Sequence, residues 1–333
     1  MEINFRRGTI DDSFAVWQVF EAALMDLSER QGTMAITGAG DPEVRAEIWT
    51  RRKALFEHLA RTAHEFWIAE EEGHAVGYAR SILRDGVLEL TEFFVSPRAQ
   101  SAGVGGELLR RAFPTTAGAF PTTAGAFPTT AGAFPTEAAK HRVIIATTDV
   151  RAQARYLKAG VVPRFPSMYW GRAPENFFVE SDLEFARGNG NVTANGNVTA
   201  NVPYILDALA EIDRAVLGHA RDADHLYLME TRELCFYKRA GKVVGYGYLA
   251  AGTGPIALLD ANDFPAVMAH AEGCALERGD KEIGFELPMI NRAAIDYLLA
   301  RKYKLDSFVT FFMSDAAFGK FDNYVFTSPP FFI

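Results

Sequence analysis

The chain has 333 residues, 49% hydrophobic and 23% charged, proportions of a globular protein with material for two cores. A formal net charge of −8, with no Lys/Arg stripe interleaved with aromatics, argues against a general nucleic-acid binder. Two cysteines without CxxC spacing, seven histidines without metal-ligand spacing and no apolar run of membrane-spanning length leave a soluble, cytoplasmic protein as the expectation, with reduced core thiols at Cys235 and Cys274 and neither metal nor membrane partner.

EINFRR alternates as a strand, and TIDDSFAVWQVFEAALMDL follows with Phe14, Trp17, Phe20, Leu24 and Leu27 at helical spacing. A second helix opens at Asp41-Pro42, a cap followed by proline in the first turn, and carries Val44, Ile48, Leu55 and Leu59 on one face. The period then changes to two. EFWIAEEEGHAVGYARSILRDGVLELTEFFV predicts three strands joined by the turns EEG and RDG. SPRAQSAGVGGELLRRAF is a loop running into a helix. Next the heptad FPTTAGA occurs three times unchanged, at 113–119, 120–126 and 127–133, followed by a diverged FPTEAAK. Excising the identical copies leaves GVGGELLRRAFPTEAAKHRVII, a continuous stretch with room for one helix and a short loop, so the repeat reads as inserted padding. HRVIIATT is a buried strand, DVRAQARYLKAG a helix stopped at Gly160, and VVPRFPSMYWGR closes the first half.

Around 188–201 the unit NGNVTA is doubled, a polar Gly/Asn-rich linker. The second half repeats the order of the first: strand DLEFAR, helix PYILDALAEIDRAVLG, hairpin RELCFYKRAGKVVGYGYLAA, strand GPIALLD, helix FPAVMAHAEGCALERG, strand KEIGFELP and helix NRAAIDYLLARK. HAVGYARS at 74–81 and KVVGYGYL at 242–249 share Val-Gly-Tyr in the same setting, which points to a duplicated domain.

Between strand and helix, the turn SPRAQSAGVGG aims successive backbone N–H groups and a helix N-terminus at one spot, a site for a diphosphate, and glycine permits close approach. A Rossmann reading fits poorly, because three hairpin strands precede the turn. A strand ending Phe94-Val95-Ser96-Pro97, the run Gln100-Ser101-Ala102-Gly103-Val104-Gly105, a helix, a strand and a helix bearing Tyr156 four residues before Gly160 together resemble the GCN5-related N-acetyltransferase (GNAT) family over residues 1 to about 172. The family's acyl-CoA signature is Arg/Gln-x-x-Gly-x-Gly/Ala.

The resemblance implies an α/β (α+β) fold of two GNAT-like domains in tandem, each a mixed, mostly antiparallel twisted sheet flanked by helices. Residues 1–175 would form the acetyl-CoA-binding domain with the insertion 113–133, 176–202 a connecting segment with the linker 188–201, and 203–333 a degenerate GNAT-like domain. It implies acetyl-CoA as co-substrate, held along Phe94, Val95 and Gln100 and by the amides of Ser101, Ala102, Gly103, Val104, Gly105 and Gly106, with the Val95 backbone polarising the acetyl carbonyl. Tyr156 matches the tyrosine that protonates the departing thiolate, and a phenol of pKa ~10 can serve a thiol of pKa ~8.5. An amine acceptor must lose a proton, at about 4.6 kcal/mol for an alkylammonium at pH 7. Glu92, acting through water with Glu89 behind it, is the candidate base. Three residues apart in a regular strand, the two face opposite sides. Asp149 stands where the family often has an asparagine and suits an N-cap.

The second half lacks this equipment. Asp260 and Asp263 would repel a diphosphate, Asn291 fits the family's asparagine, and Leu298 takes the tyrosine's place with Tyr297 one residue off. It is expected to close the acceptor pocket or support the first domain. LGHARDADH, with Arg221, Asp222 and His225, either lines that pocket or forms a solvated loop. The activity implied is direct acetyl transfer to a small-molecule or protein amine in a ternary complex; a non-catalytic acyl-CoA-binding regulatory module is the alternative, and a homodimer stays open.

Overall fold

A computed structural model describes residues 2–32, 41–100, 103–114, 139–188, 201–250, 253–328 and 330–333. The linker 188–201 and the repeat 113–133 lie almost wholly outside the described residues. The chain divides into two compact units, Met1–Val162 with Met313–Ala316, and Pro163–Phe312 with Ala317–Ile333. Both are mixed α/β, with twisted, mostly antiparallel sheets flanked by helices.

The first unit runs β1 (Ile3–Arg7), α1 (Ser13–Gln31), α2 (Pro42–Arg61), β2 (Glu65–Glu71), β3 (His74–Arg84), β4 (Val87–Val95), α3 (Val104–Ala112), β5 (His141–Thr147) and α4 (Val150–Lys158). Its strands lie in the order β1-β2-β3-β4-β5, antiparallel except for the parallel pair β4–β5. Glu72-Gly73 and Asp85-Gly86 all take positive φ, so the turns predicted at EEG and RDG are of the primed kind that matches strand twist. The Asp41 side chain accepts from the Glu43 and Val44 N–H groups at the start of α2, and Gly32 ends α1 at φ 64°.

α1 buries Val16, Trp17, Val19, Phe20, Leu24 and Leu27, and α2 buries Phe56 and Leu59. Phe14 departs from the predicted stripe. It is 46% exposed and packs 5.5 Å from Trp17 and 5.2 Å from Trp49, in an aromatic cluster near the surface. The repeat starts inside the core: Phe113 closes α3, is buried, and lies under the Arg142 guanidinium at 5.2 Å. Asp315, from the far end of the chain, belongs to this unit too. Its N–H donates to the Arg142 carbonyl at 3.1 Å and its carboxylate lies 3.5 Å from Arg142 Nε.

The second unit holds β6 (Val162–Arg172) from Pro163 on, then β7 (Glu184–Arg187), α5 (Val202–Val216), α6 (Asp222–Thr231), β8 (Glu233–Arg239), β9 (Lys242–Leu249), β10 (Ile256–Leu258), α7 (Phe264–Arg278), β11 (Ile283–Pro288), α8 (Arg292–Ala300), most of β12 (Lys304–Ser314) and β13 (Tyr324–Val325). One sheet has the order β13-β10-β9-β8-β7, and β11 pairs antiparallel with β6. Val244-Gly245-Tyr246 of β9 stands in the same second hairpin strand as Val76-Gly77-Tyr78 of β3. The core gathers on α7, with Phe264, Val267, Met268 and Ala271 against Cys235, Phe285 and Leu287.

The segment LGHARDADH is not a solvated loop. Arg221 and His225 are fully buried, and both bond the Asp213 carboxylate of α5, at 3.0 and 2.8 Å. Tyr246 donates to the same carboxylate and Tyr248 meets His225 at 2.9 Å. A polar string reads as surface; here an acid one helix earlier supplies the counter-charge that lets it go inside.

Candidate active site

β4 carries one residue more than its partner. Arg80 faces Glu92 and the next residue, Ser81, faces Leu90, so Thr91 is a bulge. On the other edge, the parallel ladder to β5 runs only from Val87–His141 to Glu89–Val143. Beyond it the strands part. Leu90–Val95 and Ile144–Thr147 line a cavity of about 340 Å³, closed by Ala23, Leu24 and Leu27 of α1 and by Arg151, Arg155 and Tyr156 of α4.

The backbone of Val95 turns toward this fork. Ser96 N–H donates to the Val76 carbonyl, so in the alternation of an antiparallel ladder the neighbouring pair Val95–Gly77 exchanges no hydrogen bond. The N–H and C=O of Val95 therefore face the opposite edge, where β5 has diverged. The carbonyl accepts from the Gln100 side chain at 3.2 Å, and the Gln100 side-chain oxygen accepts from Arg151 at 2.5 Å. Phe94 pairs with Tyr78, and its ring lies 4.9 Å from Phe20 and 5.9 Å from Tyr78.

At the cavity mouth Gly103 caps α3 at φ +80°, a left-handed conformation that favours glycine. The N–H groups of Val104 and Gly105 start the helix and have no intrahelical acceptor. A Cβ on Gly105 would come within 3.1 Å of the Phe93 ring and 3.4 Å of Arg155 Nε, whereas one on Gly106 would meet open space. Gly105 lets the helix start press against β4 and α4, and Gly106 leaves the approach clear.

Tyr156 is 4% exposed, lies edge-on to Phe93 at 6.0 Å and lines the cavity. Burial, with the Asp149 charge adding to it, raises its hydroxyl above the ordinary tyrosine range, so it is a protonated donor at neutral pH. Its helix is capped as expected: Asp149 accepts from Arg151 N–H at 2.9 Å. Burial pushes the Asp149 carboxyl up, but the bonds from Arg151 and the charge of Arg30 outweigh it and hold it below the usual range.

Glu92 is enclosed. Arg80 donates to it through Nε at 2.6 Å and also through Nη2, Tyr78 donates at 2.8 Å, and neither the Glu92 nor the Arg80 side chain has any exposure. Arg80 also donates to the Phe56 carbonyl at 2.9 Å and sits 4.9 Å from the centre of the Phe66 ring. The bulge corrects the expected geometry of the two glutamates. Glu89 and Glu92 pair with Ile82 and Arg80, two apart on β3, so they share a face.

Glu92, Phe94, Val95, Gln100, Gly105 and Tyr156 thus line one cavity, and Gly103, Val104 and Gly106 form the adjoining turn. Ser101 and Ala102 lie outside the described residues. The sequence reading missed Arg151 and Arg155, although Arg155 directly precedes Tyr156 and both lie one helical turn apart on α4. Arg155 has no ion pair among the described residues; it donates to the Arg151 carbonyl at 3.1 Å.

Among the described residues the second unit has no such fork. β13 pairs with β10, and Phe326 bridges to Glu286 of β11, so residues 324–326 stand between the two strands. Asn323 and Asn291 pin this segment through the Leu258 and Tyr324 carbonyls at 2.8 and 3.2 Å, and a Cβ on Gly254 would lie 2.2 Å from the Phe326 carbonyl oxygen. Asp263 is paired with Arg239 at 2.7 Å, Leu298 is buried, and the Tyr297 hydroxyl is bonded to Glu272 at 3.2 Å. Among the described residues no group of three or more His, Cys, Asp or Glu is placed to hold a metal, and no helix is long and apolar enough to cross a membrane.

Residues 26–117 match the profile of the acetyltransferase (GNAT) family. The structure is similar to a proposed acetyltransferase from Pyrococcus horikoshii at 14% identity and TM-score 0.66, over 97% of this chain and 92% of that one. It is also similar to a GCN5-related N-acetyltransferase from Sphaerobacter thermophilus (14%, 0.54, 94% and 95%) and to a tandem GNAT protein from the clavulanic acid biosynthesis pathway (12%, 0.53, 94% and 98%). At these identities the likeness is one of fold, and the fold is that of GNAT acetyltransferases, tandem members included. No protein with a curated description matches the sequence.

Proposed function

We propose, from this GNAT fold and its open fork, that the chain is an acetyl-CoA-dependent N-acetyltransferase. The observation that carries the reading is the convergence, on one cavity, of a Val95 N–H turned away from β3, a glycine-started helix and a buried, protonated tyrosine. When bound, acetyl-CoA supplies an activated acyl group on a thiol leaving group. The start of α3 from Gly103 to Gly106, with Arg151 and Arg155 beside it, suits its diphosphate. The Val95 N–H points where the thioester carbonyl would be polarised, and such a donor is typically worth 10²–10³ in rate. Tyr156 gives its proton to the departing sulfur.

We assign Glu92 a positioning role in place of the base expected from sequence: it anchors the bulged strand through Arg80 and Tyr78. We assign the second unit no acyl-CoA site, because residues 324–326 fill the corresponding gap. The enclosure of Glu92 is also what a binding module without turnover would tolerate, so a non-catalytic acyl-CoA sensor is the second reading. Thiol release with a panel of amines separates them. Catalysis predicts turnover, and Tyr156→Phe should lower kcat by roughly 10²-fold with acetyl-CoA affinity unchanged. Tight acetyl-CoA binding with no release on any amine would favour the sensor.

A further inference from the structure

Two carboxylates line the cavity among the described residues, Glu92 and Asp149, and both are engaged. Glu92 accepts on both oxygens and has no exposure. A proton could reach it only by breaking those bonds and leaving the Arg80 guanidinium buried beside a neutral partner. Asp149 accepts from the start of α4 and lies 3.1 Å from both Arg30 and Arg151. The groups facing Glu92 are Tyr78 and Arg80 from β3 and Arg52 from α2, and Arg52 interacts in turn with Glu21 of α1. Among the described residues, α4 contributes Arg151, Arg155 and Tyr156 to the wall and α1 contributes Ala23, Leu24 and Leu27, while Asp26 of α1 is held 3.5 Å from Arg151. Among the described residues the wall therefore offers an ammonium ion no carboxylate that is not already held by a guanidinium or hydroxyl partner.

We infer that the acceptor is a weakly basic amine with an appreciable neutral fraction near pH 7, such as the α-amine of a peptide, and not an alkylamine of the lysine or polyamine kind. This rests on the acetyl-transfer reading above. An α-amine of pKa ~8 is about one-tenth neutral at pH 7, while an alkylamine of pKa ~10.4 is neutral in about one molecule in 2,500. The step closes without an enzyme carboxylate. The nitrogen lone pair forms the C–N bond, the C–S bond breaks, Tyr156 passes its proton to sulfur, and the proton shed by nitrogen restores Tyr156 through solvent.

The test uses the whole chain and acetyl-CoA with two peptides of one sequence, one with a free α-amine and no lysine, the other α-acetylated with a single lysine. Thiol release is followed from pH 6.5 to 9.5, and acceptor binding to the CoA-saturated protein is followed by calorimetry. At pH 7 the α-amine should be favoured by at least about tenfold in kcat/KM, less than the ratio of neutral fractions because a weaker base is a weaker nucleophile. The α-amine profile should bend near its own pKa of about 8 while the lysine profile still climbs with unit slope. Binding of the α-amine peptide should tighten with pH in parallel. Equal use of lysine at pH 7, or a shared bend below pH 8 for both peptides, would reveal an enzyme base and overturn the inference alone. Release with neither peptide nor aniline, while acetyl-CoA binds, would overturn the acetyl-transfer reading and the inference with it.

Discussion

Glu92 and Tyr156 show how differently single residues are fixed by their surroundings. Both line one cavity, yet Tyr156 lies against the edge of Phe93 there, while Glu92 is consumed by Tyr78 and Arg80. Tyr156 was singled out by its place four residues before Gly160, where the resembled family carries a tyrosine. The fate of Glu92 was not legible, because its partners come from another strand and nothing in LTEFFV marks them. Glu286 is another buried acid, with a measurable signature. Burial on β11 pushes its carboxyl up to about 7, against a Ser167 hydroxyl bond at 2.6 Å that holds it down. A carboxyl raised in the folded state contributes stability that is present below its unfolded pKa of about 4.5 and is lost as pH rises through 7. Glu286→Gln should therefore stabilise the protein at pH 8, by about 1–3 kcal/mol, and have little effect at pH 4.5. Denaturant titrations at the two pH values check this; an equal effect at both would refute it.

Among the elements, the hairpins and the glycine turn were readable because each depends on local chemistry: Glu72-Gly73 and Asp85-Gly86 need positive φ, and Gly103 needs the left-handed cap. The bulge at Thr91 was hidden, since nothing in VLELTEFFV tells one extra residue from regular alternation, and the fork depends on where the ladder to β5 stops. The boundary of the repeat was also misread by two residues. Phe113 belongs to the core, and Pro114 accepts from Arg142 at 3.3 Å. Deletion of 113–133 nonetheless brings Phe134-Pro135 into the places of Phe113-Pro114. The shortened chain should keep its melting temperature within a few degrees and bind acetyl-CoA with unchanged affinity. A loss of binding in a folded deletion protein would give the repeat a function.

For the whole molecule, the tandem order was visible in the repeated run of strands and helices and in the shared Val-Gly-Tyr. The fate of the second fork was not, because β13 has only two residues and too little pattern to be noticed. Asp260 and Asp263 had argued against a phosphate there on charge; the structure adds a steric reason, with Tyr324, Val325 and Phe326 buried between β10 and β11. One chain thus carries one open fork and one filled one. Calorimetric titration of the whole chain with acetyl-CoA tests this most directly, because it counts sites. One site per chain is the predicted result; two sites, or none, would contradict it.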